Sequence, residues 1–313
     1  MTQLSDLYAM WRIRAFEEKT RELWLAKHII GSVHLCIGQE AGPVGTCTEL
    51  APHDALFATY RGHGWALARG VPAQAIFAEM LGRASGVNGG RGGSAYFTAP
   101  EYGFNGENSI VGAAAPIAVG AALASRIDGS GRIAVTVFGD GALNQGAVHE
   151  ALNMAGAFRL PVVFICENNG YSELTPIADM VGDPQLWRRA AAYGIAGHRV
   201  DGNDPQTVRA AVAEAADRAR GGTGATLLEL MTQRLVGHYL GDAEQYRKPG
   251  ELDEALRHEP LARLRAALAT TGVAESELDE VKAQAYAEIA EAAQKALAAP
   301  HADAATALEH IYA

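Results

Sequence analysis

The chain has 313 residues, with 26 Lys and Arg against 36 Asp and Glu, so its formal net charge is −10. This acidic balance argues against a non-specific nucleic-acid binder, because no surplus of basic residues is available to neutralise phosphates. Hydrophobic residues make up 49% of the chain and charged residues 20%, a composition that is typical of a globular protein and excludes a disordered one.

The first 30 residues predict a helix, because Leu4, Leu7, Trp11 and Ala15 follow the spacing of one helical face. Gly31 is expected to end it. This segment lacks the apolar core of a signal peptide, and no apolar run approaches the roughly 20 residues that span a bilayer. The three cysteines are scattered and form no CxxC pair. We therefore expect no membrane partner, and a location in the reducing cytoplasm.

Glycine-rich loops separate short helical pieces over residues 31–110, and a small-residue helix is predicted at 111–125, after Pro116. Residues 133–138 and 162–166 are continuous β-rich apolar runs, as in strands buried on both faces, and a helix is predicted between them. Strand, helix and strand at this spacing predict a parallel βαβ unit.

The same alternation continues toward the C-terminus. We predict a helix at 184–193, a short strand at 198–200, a helix at 205–220 and a strand at 225–231. A polar loop is expected at 238–252, followed by two or three helices from 252 onward. The fold class is therefore α/β, a doubly wound and mostly parallel sheet with N- and C-terminal helical extensions. Residues 1–250 are expected to form the α/β domain and residues 251–313 a helical extension of it.

Polar residues follow the two strands of the βαβ unit at the point where each strand ends. Asp140 lies in a Gly-Asp-Gly turn after the first strand, and Asn169 follows the second. Ligands of open α/β sheets bind at the carboxyl ends of strands, and carboxylate and amide oxygens suit Mg²⁺ or Ca²⁺. Each motif alone is commonly only a turn or a loop. Two side chains leave a metal site incomplete, so phosphate oxygens of a ligand are the natural complement, and the amides of Gly141 and Ala142 precede a helix that could face them.

The Gly-Asp-Gly and Asn-Asn motifs, 26 residues apart, resemble the thiamine-diphosphate-binding motif. By that resemblance the metal ligands are Asp140, Asn169 and the carbonyl oxygen of Tyr171. Further stretches in the expected order resemble the alpha subunit of thiamine-diphosphate-dependent 2-oxo acid dehydrogenases, a group that includes pyruvate, branched-chain and acetoin dehydrogenases. These stretches are GSVHLCIGQEAGPVG (31–45), TYRGHG (59–64), GGRGGSAYF (89–97), IVGAAAPIAVGAAL (110–123) and GHYLGDAEQYRKPGE (237–251). The resemblance covers roughly residues 5–251 and implies a thiamine-diphosphate-binding fold.

The resemblance also implies roles for particular residues. Seven positions match contacts to the cofactor thiamine diphosphate, which binds with Mg²⁺: Tyr60, Arg61, Ser109, Val111, Gly141, Ala142 and Arg234. An arginine suits a diphosphate because its planar donors match phosphate oxygens. His34 matches an active-site histidine that meets the substrate, and His238 matches a loop histidine near the reacting centre. His63 lies next to the diphosphate-binding Tyr-Arg pair and is a third catalytic candidate, since imidazole suits proton transfer near neutral pH. One departure is Tyr96, which replaces a histidine that many relatives carry.

The family also implies partners. In it, the carboxylate that contacts the aminopyrimidine ring comes from a separate beta subunit, and 313 residues leave no room for a second such domain. We expect an α₂β₂ heterotetramer whose acyl product passes to a lipoyl acyltransferase. The segment 237–251 is more similar to acetoin than to pyruvate dehydrogenases, so acetoin is slightly favoured over pyruvate or a branched-chain 2-oxo acid.

Two rival functions predict different residues. A dinucleotide-binding oxidoreductase would have GxGxxG directly after a strand, but the turn after residue 138 reads GDGALNQG. A non-catalytic protein with the same fold would have lost the metal ligands or the Tyr-Arg pair, and all of these are present.

Overall fold

The computed structural model describes residues 3–309. Eight strands lie in this part of the chain: β1 (Ala55–Thr59), β2 (Phe104–Asn108), β3 (Ala134–Gly139), β4 (Val162–Asn168), β5 (Tyr171–Ser172), β6 (Thr175–Pro176), β7 (Ala196–Asp201) and β8 (Thr226–Met231). The α-helices are α1 (Gln3–Leu25), α2 (Ala41–Cys47), α3 (His63–Ala68), α4 (Ala73–Met80), α5 (Ala114–Asp128), α6 (Gly146–Ala157), α7 (Pro205–Arg220), α8 (Glu251–Arg257), α9 (Pro260–Thr270) and α10 (Glu275–Ala298). Short 3₁₀ helices cover Pro100–Tyr102, Gly141–Asn144, Ile177–Asp179, Leu186–Tyr193 and Ala304–Thr306.

Six strands form one sheet in the order β2-β1-β3-β4-β8-β7, and every neighbouring pair in it is parallel. The predicted fold class, a doubly wound α/β sheet, is confirmed. Strands β3 and β4 pair in register from Ala134 with Val162 to Gly139 with Glu167. Their carboxyl ends therefore lie side by side, and the turn after β3 meets the segment after β4. Strands β5 and β6 form a separate antiparallel pair beyond β4.

Two hydrophobic layers cover the faces of the sheet. Alternate residues of β3 point to opposite sides: Val135 and Val137 belong to the layer with α1, α2, α4 and α7, whereas Ala134 and Phe138 belong to the layer with α5 and α6. Burial on both faces explains why these strands are continuous apolar runs in the sequence. It also leaves the ends of the strands as the place where polar side chains can collect.

The predicted elements after residue 110 are found close to their expected positions. Helix α5 begins at Ala114, ahead of Pro116 and not after it, because the first turn of a helix tolerates a residue without an N–H donor. The prediction of only helical pieces and loops for residues 31–110 is wrong, since strands β1 and β2 lie there. Strand β2 reads Phe-Asn-Gly-Glu-Asn, a composition typical of turns.

Helix α10 runs along α1 and α4 at the C-terminus. Arg12 Nε donates to Glu288 Oε1 at 3.0 Å, the rings of Trp11 and Tyr286 lie 6.0 Å apart, and Ile289 joins the layer that contains α1. The boundary at residue 250 stays a prediction, and residues 310–313 of the predicted extension lie outside the described residues. Among residues 3–309, no helix combines the length and the apolar character that crossing a membrane requires.

Candidate active site

A cavity of about 550 Å³ opens at the carboxyl edge of the sheet. Its walls come from the segments that follow β1, β2, β3, β4 and β8, together with the segment that precedes α2. Twelve of the thirteen predicted site residues line it: His34, Tyr60, Arg61, Ser109, Val111, Asp140, Gly141, Ala142, Asn169, Tyr171, Arg234 and His238. Residues that are up to 204 positions apart in the chain thus share one cavity, although their individual roles stay predictions.

Asp140 lies directly after β3 and is 1% exposed. Its Oδ1 accepts a hydrogen bond from the backbone N–H of Gly141 at 3.0 Å, whereas its Oδ2 is buried and has no partner among residues 3–309. Burial raises the pKa of the Asp140 carboxyl to about 6. A buried carboxylate oxygen without a donor is costly unless something else binds it. A cation at this position would supply the missing partner.

Asn169 and Tyr171 follow β4 at the neighbouring strand end. The backbone N–H of Tyr171 donates to Asn169 Oδ1 at 3.3 Å. Within the described chain, no group of three or more His, Cys, Asp or Glu side chains is arranged to hold a metal ion. The protein side of a metal site here is therefore one carboxylate with amide and carbonyl oxygens, which suits a hard cation that takes further oxygens from its ligand.

Two arginines supply positive charge to the cavity. Arg61 is 6% exposed and donates to the carbonyl oxygens of Leu35 and His238, the latter at 3.0 Å. Arg234 is 2% exposed and donates to Tyr246 Oη at 2.8 Å and to a carbonyl oxygen at 3.0 Å, while its Nε has no partner among residues 3–309. Within residues 3–309, every hydrogen bond of these two guanidiniums goes to an uncharged acceptor. Two buried positive charges without carboxylate partners favour an anionic ligand.

The turn after β3 is shaped for close approach of a ligand. Gly141 begins the 3₁₀ helix Gly141–Asn144, and a Cβ atom at Gly141 would collide with the side chain of Ser172. Because of this contact, only glycine fits at position 141. The backbone around Ala142, which is 4% exposed, lines the cavity beside it.

His34, Tyr60 and His238 form an aromatic wall of the cavity. The ring centroids of His34 lie 4.2 Å from those of Tyr60 and 4.9 Å from those of His238. Burial and the nearby charge of Arg61 lower the pKa of both histidines to about 3. Both imidazoles are therefore neutral at neutral pH and are weak proton acceptors. Each can still hydrogen-bond to a polar group of a ligand, although His238 Nδ1 already lies 3.3 Å from a guanidinium nitrogen of Arg234.

His63, the thirteenth predicted residue, is fully buried and does not line the cavity. Its Nδ1 lies 3.0 Å from Glu17 Oε2 and its Nε2 lies 3.0 Å from Ser94 Oγ. Burial alone would lower the pKa of His63, but the Glu17 carboxylate outweighs it and the pKa rises to about 9. Helix α3 begins at His63 and turns this side chain toward α1, away from its sequence neighbour Arg61.

Ten further residues that line the cavity were not predicted, and two of them bear on its chemistry. Glu167, the residue before the Asn-Asn pair, is 5% exposed, and burial raises the pKa of its carboxyl to about 7. A charged residue near the end of an apolar strand was the signal for it. Gln39 accepts a hydrogen bond from Asn169, and nothing local in the sequence indicates that contact. Tyr96, the departure noted in the sequence, is 58% exposed and lines a separate cleft with Glu107.

Comparison with known proteins identifies the family of the chain. The model of the family described as "Dehydrogenase E1 component" matches residues 8–305. The alpha subunit of acetoin:2,6-dichlorophenolindophenol oxidoreductase from Bacillus subtilis is 42% identical over 81% of this chain and 78% of its own length. The protein of the same name from Cupriavidus necator is 41% identical over 96% and 90%. The alpha subunit of the pyruvate dehydrogenase E1 component from Rhizobium meliloti is 38% identical over 94% and 85%. The chain therefore belongs to the dehydrogenase E1 component family.

Proposed function

We propose that the chain is the alpha subunit of a thiamine-diphosphate-dependent oxidoreductase that cleaves acetoin. Pyruvate or a branched-chain 2-oxo acid is the alternative substrate. Two relatives that are 41–42% identical carry acetoin in their names, and a pyruvate dehydrogenase subunit follows at 38%. The similarity of segment 237–251 to acetoin enzymes supports the same order. Family membership makes an NAD-binding or non-catalytic protein the weaker choice.

One observation carries this proposal: Asp140, with a buried carboxylate oxygen that has no partner among residues 3–309, lines the same cavity as two guanidiniums that have no carboxylate partner in that range. The charge of Arg234 acts on the pKa of Asp140, so the two groups are close. A metal diphosphate satisfies both, because its cation binds the carboxylate and its phosphate oxygens accept from the arginines. Family membership implies thiamine diphosphate. We propose Mg²⁺ as the cation, held by Asp140, Asn169 and the Tyr171 carbonyl oxygen.

Thiamine diphosphate, when bound, supplies a nucleophilic carbon and an electron sink for breaking a bond beside a carbonyl group. The residues of this chain would bind and orient it. Arg61 and Arg234 neutralise the diphosphate, while Gly141 and Ala142 allow its close approach. Ser109 and Val111 contact the organic part through their backbone. Tyr60 excludes water, and the neutral imidazoles of His34 and His238 orient the substrate by hydrogen bonds to its hydroxyl group or carbonyl oxygen.

The proposed partners rest on membership of the family. We propose that a beta subunit completes the active site in an α₂β₂ heterotetramer and that the acyl group passes to a lipoyl acyltransferase. The relatives are named as alpha subunits, which supports a multisubunit enzyme. The three cysteines are unpaired, which supports a reducing compartment, and we propose the cytoplasm.

The first test compares ligands by thermal unfolding of the purified chain. Thiamine diphosphate with Mg²⁺ should raise the melting temperature, and NAD should not. Asp140→Asn is the matched variant, and it should lose the magnesium-dependent part of the shift. The second test measures turnover of acetoin, pyruvate and branched 2-oxo acids with an artificial electron acceptor, with and without the beta subunit. Stabilisation by NAD alone, or turnover by this chain alone, would refute the proposal.

A further inference from the structure

Gln39 is buried behind the proposed metal ligand Asn169. It is 1% exposed and precedes helix α2, about 130 residues from Asn169 in the chain. Its Oε1 lies 3.0 Å from Asn169 Nδ2 and 3.4 Å from the hydroxyl of Thr232, which is also buried. The side chain of Gln39 makes no other hydrogen bond within residues 3–309, and its Nε2 is buried without a partner.

The hydrogen bonds fix which way both amides point. A backbone N–H can only donate, so the Asn169 atom that faces the N–H of Tyr171 must be the oxygen. The other Asn169 atom is then the NH₂ group, and it needs an acceptor. Gln39 supplies that acceptor with Oε1, which leaves its own NH₂ group pointing elsewhere. The Thr232 hydroxyl can donate or accept and therefore does not decide the orientation.

This orientation matters because an amide binds a hard cation only through its oxygen. If the Asn169 amide were turned over, its NH₂ group, which has no lone pair to offer, would face the ion. Oδ1 has two lone pairs, and the Tyr171 N–H uses one of them. The second remains for a metal ion as long as the amide keeps its orientation.

We infer that Gln39 is a positioning residue for the metal site: it holds the NH₂ group of Asn169 and thereby keeps Oδ1 turned toward the cation. The inference rests on the proposed function, because it assumes that Asn169 is a metal ligand. Partners of this kind, which orient a ligand without touching the metal, typically change metal affinity by roughly 10- to 100-fold when they are removed.

The test measures binding of Mn²⁺, a paramagnetic substitute for Mg²⁺, by titration of the free ion with electron paramagnetic resonance. The full chain is purified with its beta subunit, and thiamine diphosphate is present. Gln39→Met keeps the volume and removes the acceptor, so it should weaken Mn²⁺ binding by roughly 10- to 100-fold. Gln39→Glu keeps an acceptor oxygen and should restore most of the affinity. Gln284→Met makes the same change at an exposed position of α10 and should have no effect.

A second comparison separates orientation from general damage to the fold. Asn169→Asp places a carboxylate with two equivalent oxygens at the ligand position, so no orientation remains to be lost. In that background Gln39→Met should hardly alter Mn²⁺ affinity. The inference would be overturned if Gln39→Met lowered Mn²⁺ affinity equally with Asn169 and with Asn169→Asp, or if it caused no loss of affinity in the chain that keeps Asn169. If the unaltered enzyme fails to retain Mn²⁺ with thiamine diphosphate, the proposed function itself fails, and that result is visible without any variant.

Discussion

The buried pair of Glu17 and His63 should make the stability of the chain fall at alkaline pH. The pKa of His63 rises from 6.5 to about 9 because the Glu17 carboxylate outweighs the effect of burial. A rise of this size corresponds to roughly 3 kcal/mol of folding free energy. A histidine whose pKa is raised by folding contributes fully below pH 6.5, and its contribution is lost as the pH increases through 9.

The perturbation is Glu17→Gln, which removes the charge that holds the proton on His63. Glu107 is the other titratable group that acts on His63, and burial keeps the pKa of its carboxyl well above the usual range, so it does not replace Glu17. We expect the unaltered chain to lose roughly 3 kcal/mol more than the variant between pH 6.5 and pH 9.5. The difference between the two proteins should be largest at pH 6.5.

The assay is urea unfolding at both pH values, followed by circular dichroism and extrapolated to water. His258→Gln is the control, because the His258 side chain is 52% exposed and its ion-pair partner Glu254 is 58% exposed, so its profile should parallel that of the unaltered chain. If Glu17→Gln and the unaltered chain lose the same free energy over this range, the buried ion pair does not hold the proton, and the reasoning is wrong.

Three further changes have expected outcomes. Asp140→Asn keeps the acceptor for its neighbouring amide but turns an NH₂ group toward the cation, so Mg²⁺ affinity measured by calorimetry should fall by more than about 100-fold. Arg234→Met should weaken thiamine diphosphate binding by roughly 10- to 100-fold, because a charge-assisted hydrogen bond is lost; unchanged binding would contradict its role. Gly62→Ala should destabilise the chain by about 1–3 kcal/mol in urea unfolding, since its Cβ would collide with the Glu107 side chain. Gly120→Ala, in a helix with open space around it, should instead stabilise, and equal effects would refute the clash.

The sequence was most informative where the local pattern and the tertiary environment agree. Strands β3 and β4 are buried on both faces, so their composition alone marks them. Strand β1 is a five-residue run of Ala-Leu-Phe-Ala-Thr that fits a helix equally well, and β2 is an edge strand with turn-like composition. Pairing with neighbours, and not propensity, makes these two segments strands.

The same distinction between local pattern and tertiary contact applies to the residues of the candidate site. Asp140 and Asn169 follow recognisable strands, so spacing predicted that they meet. The contact between Gln39 and Asn169 depends on how α2 packs beside β4, which no local pattern encodes. His63 shows the converse case: it is close to Arg61 in the chain but does not line the cavity, and its role stays a prediction. The start of α3 separates the two side chains.

The uncompensated guanidiniums of Arg61 and Arg234 have a practical consequence for measurements. Burial and, after it, the charge of Arg61 lower the pKa of the Arg234 guanidinium, so the two positive charges repel each other. Any small oxyanion relieves that repulsion. Phosphate or sulfate in a buffer will therefore compete with the diphosphate of the cofactor for the two arginines, and will raise the melting temperature of the chain even when no cofactor is present. A dissociation constant measured for thiamine diphosphate in such a buffer will therefore reflect the displacement of one anion by another. A buffer without competing oxyanions, such as a zwitterionic amine buffer with chloride, is required to measure the dissociation constant of the cofactor itself.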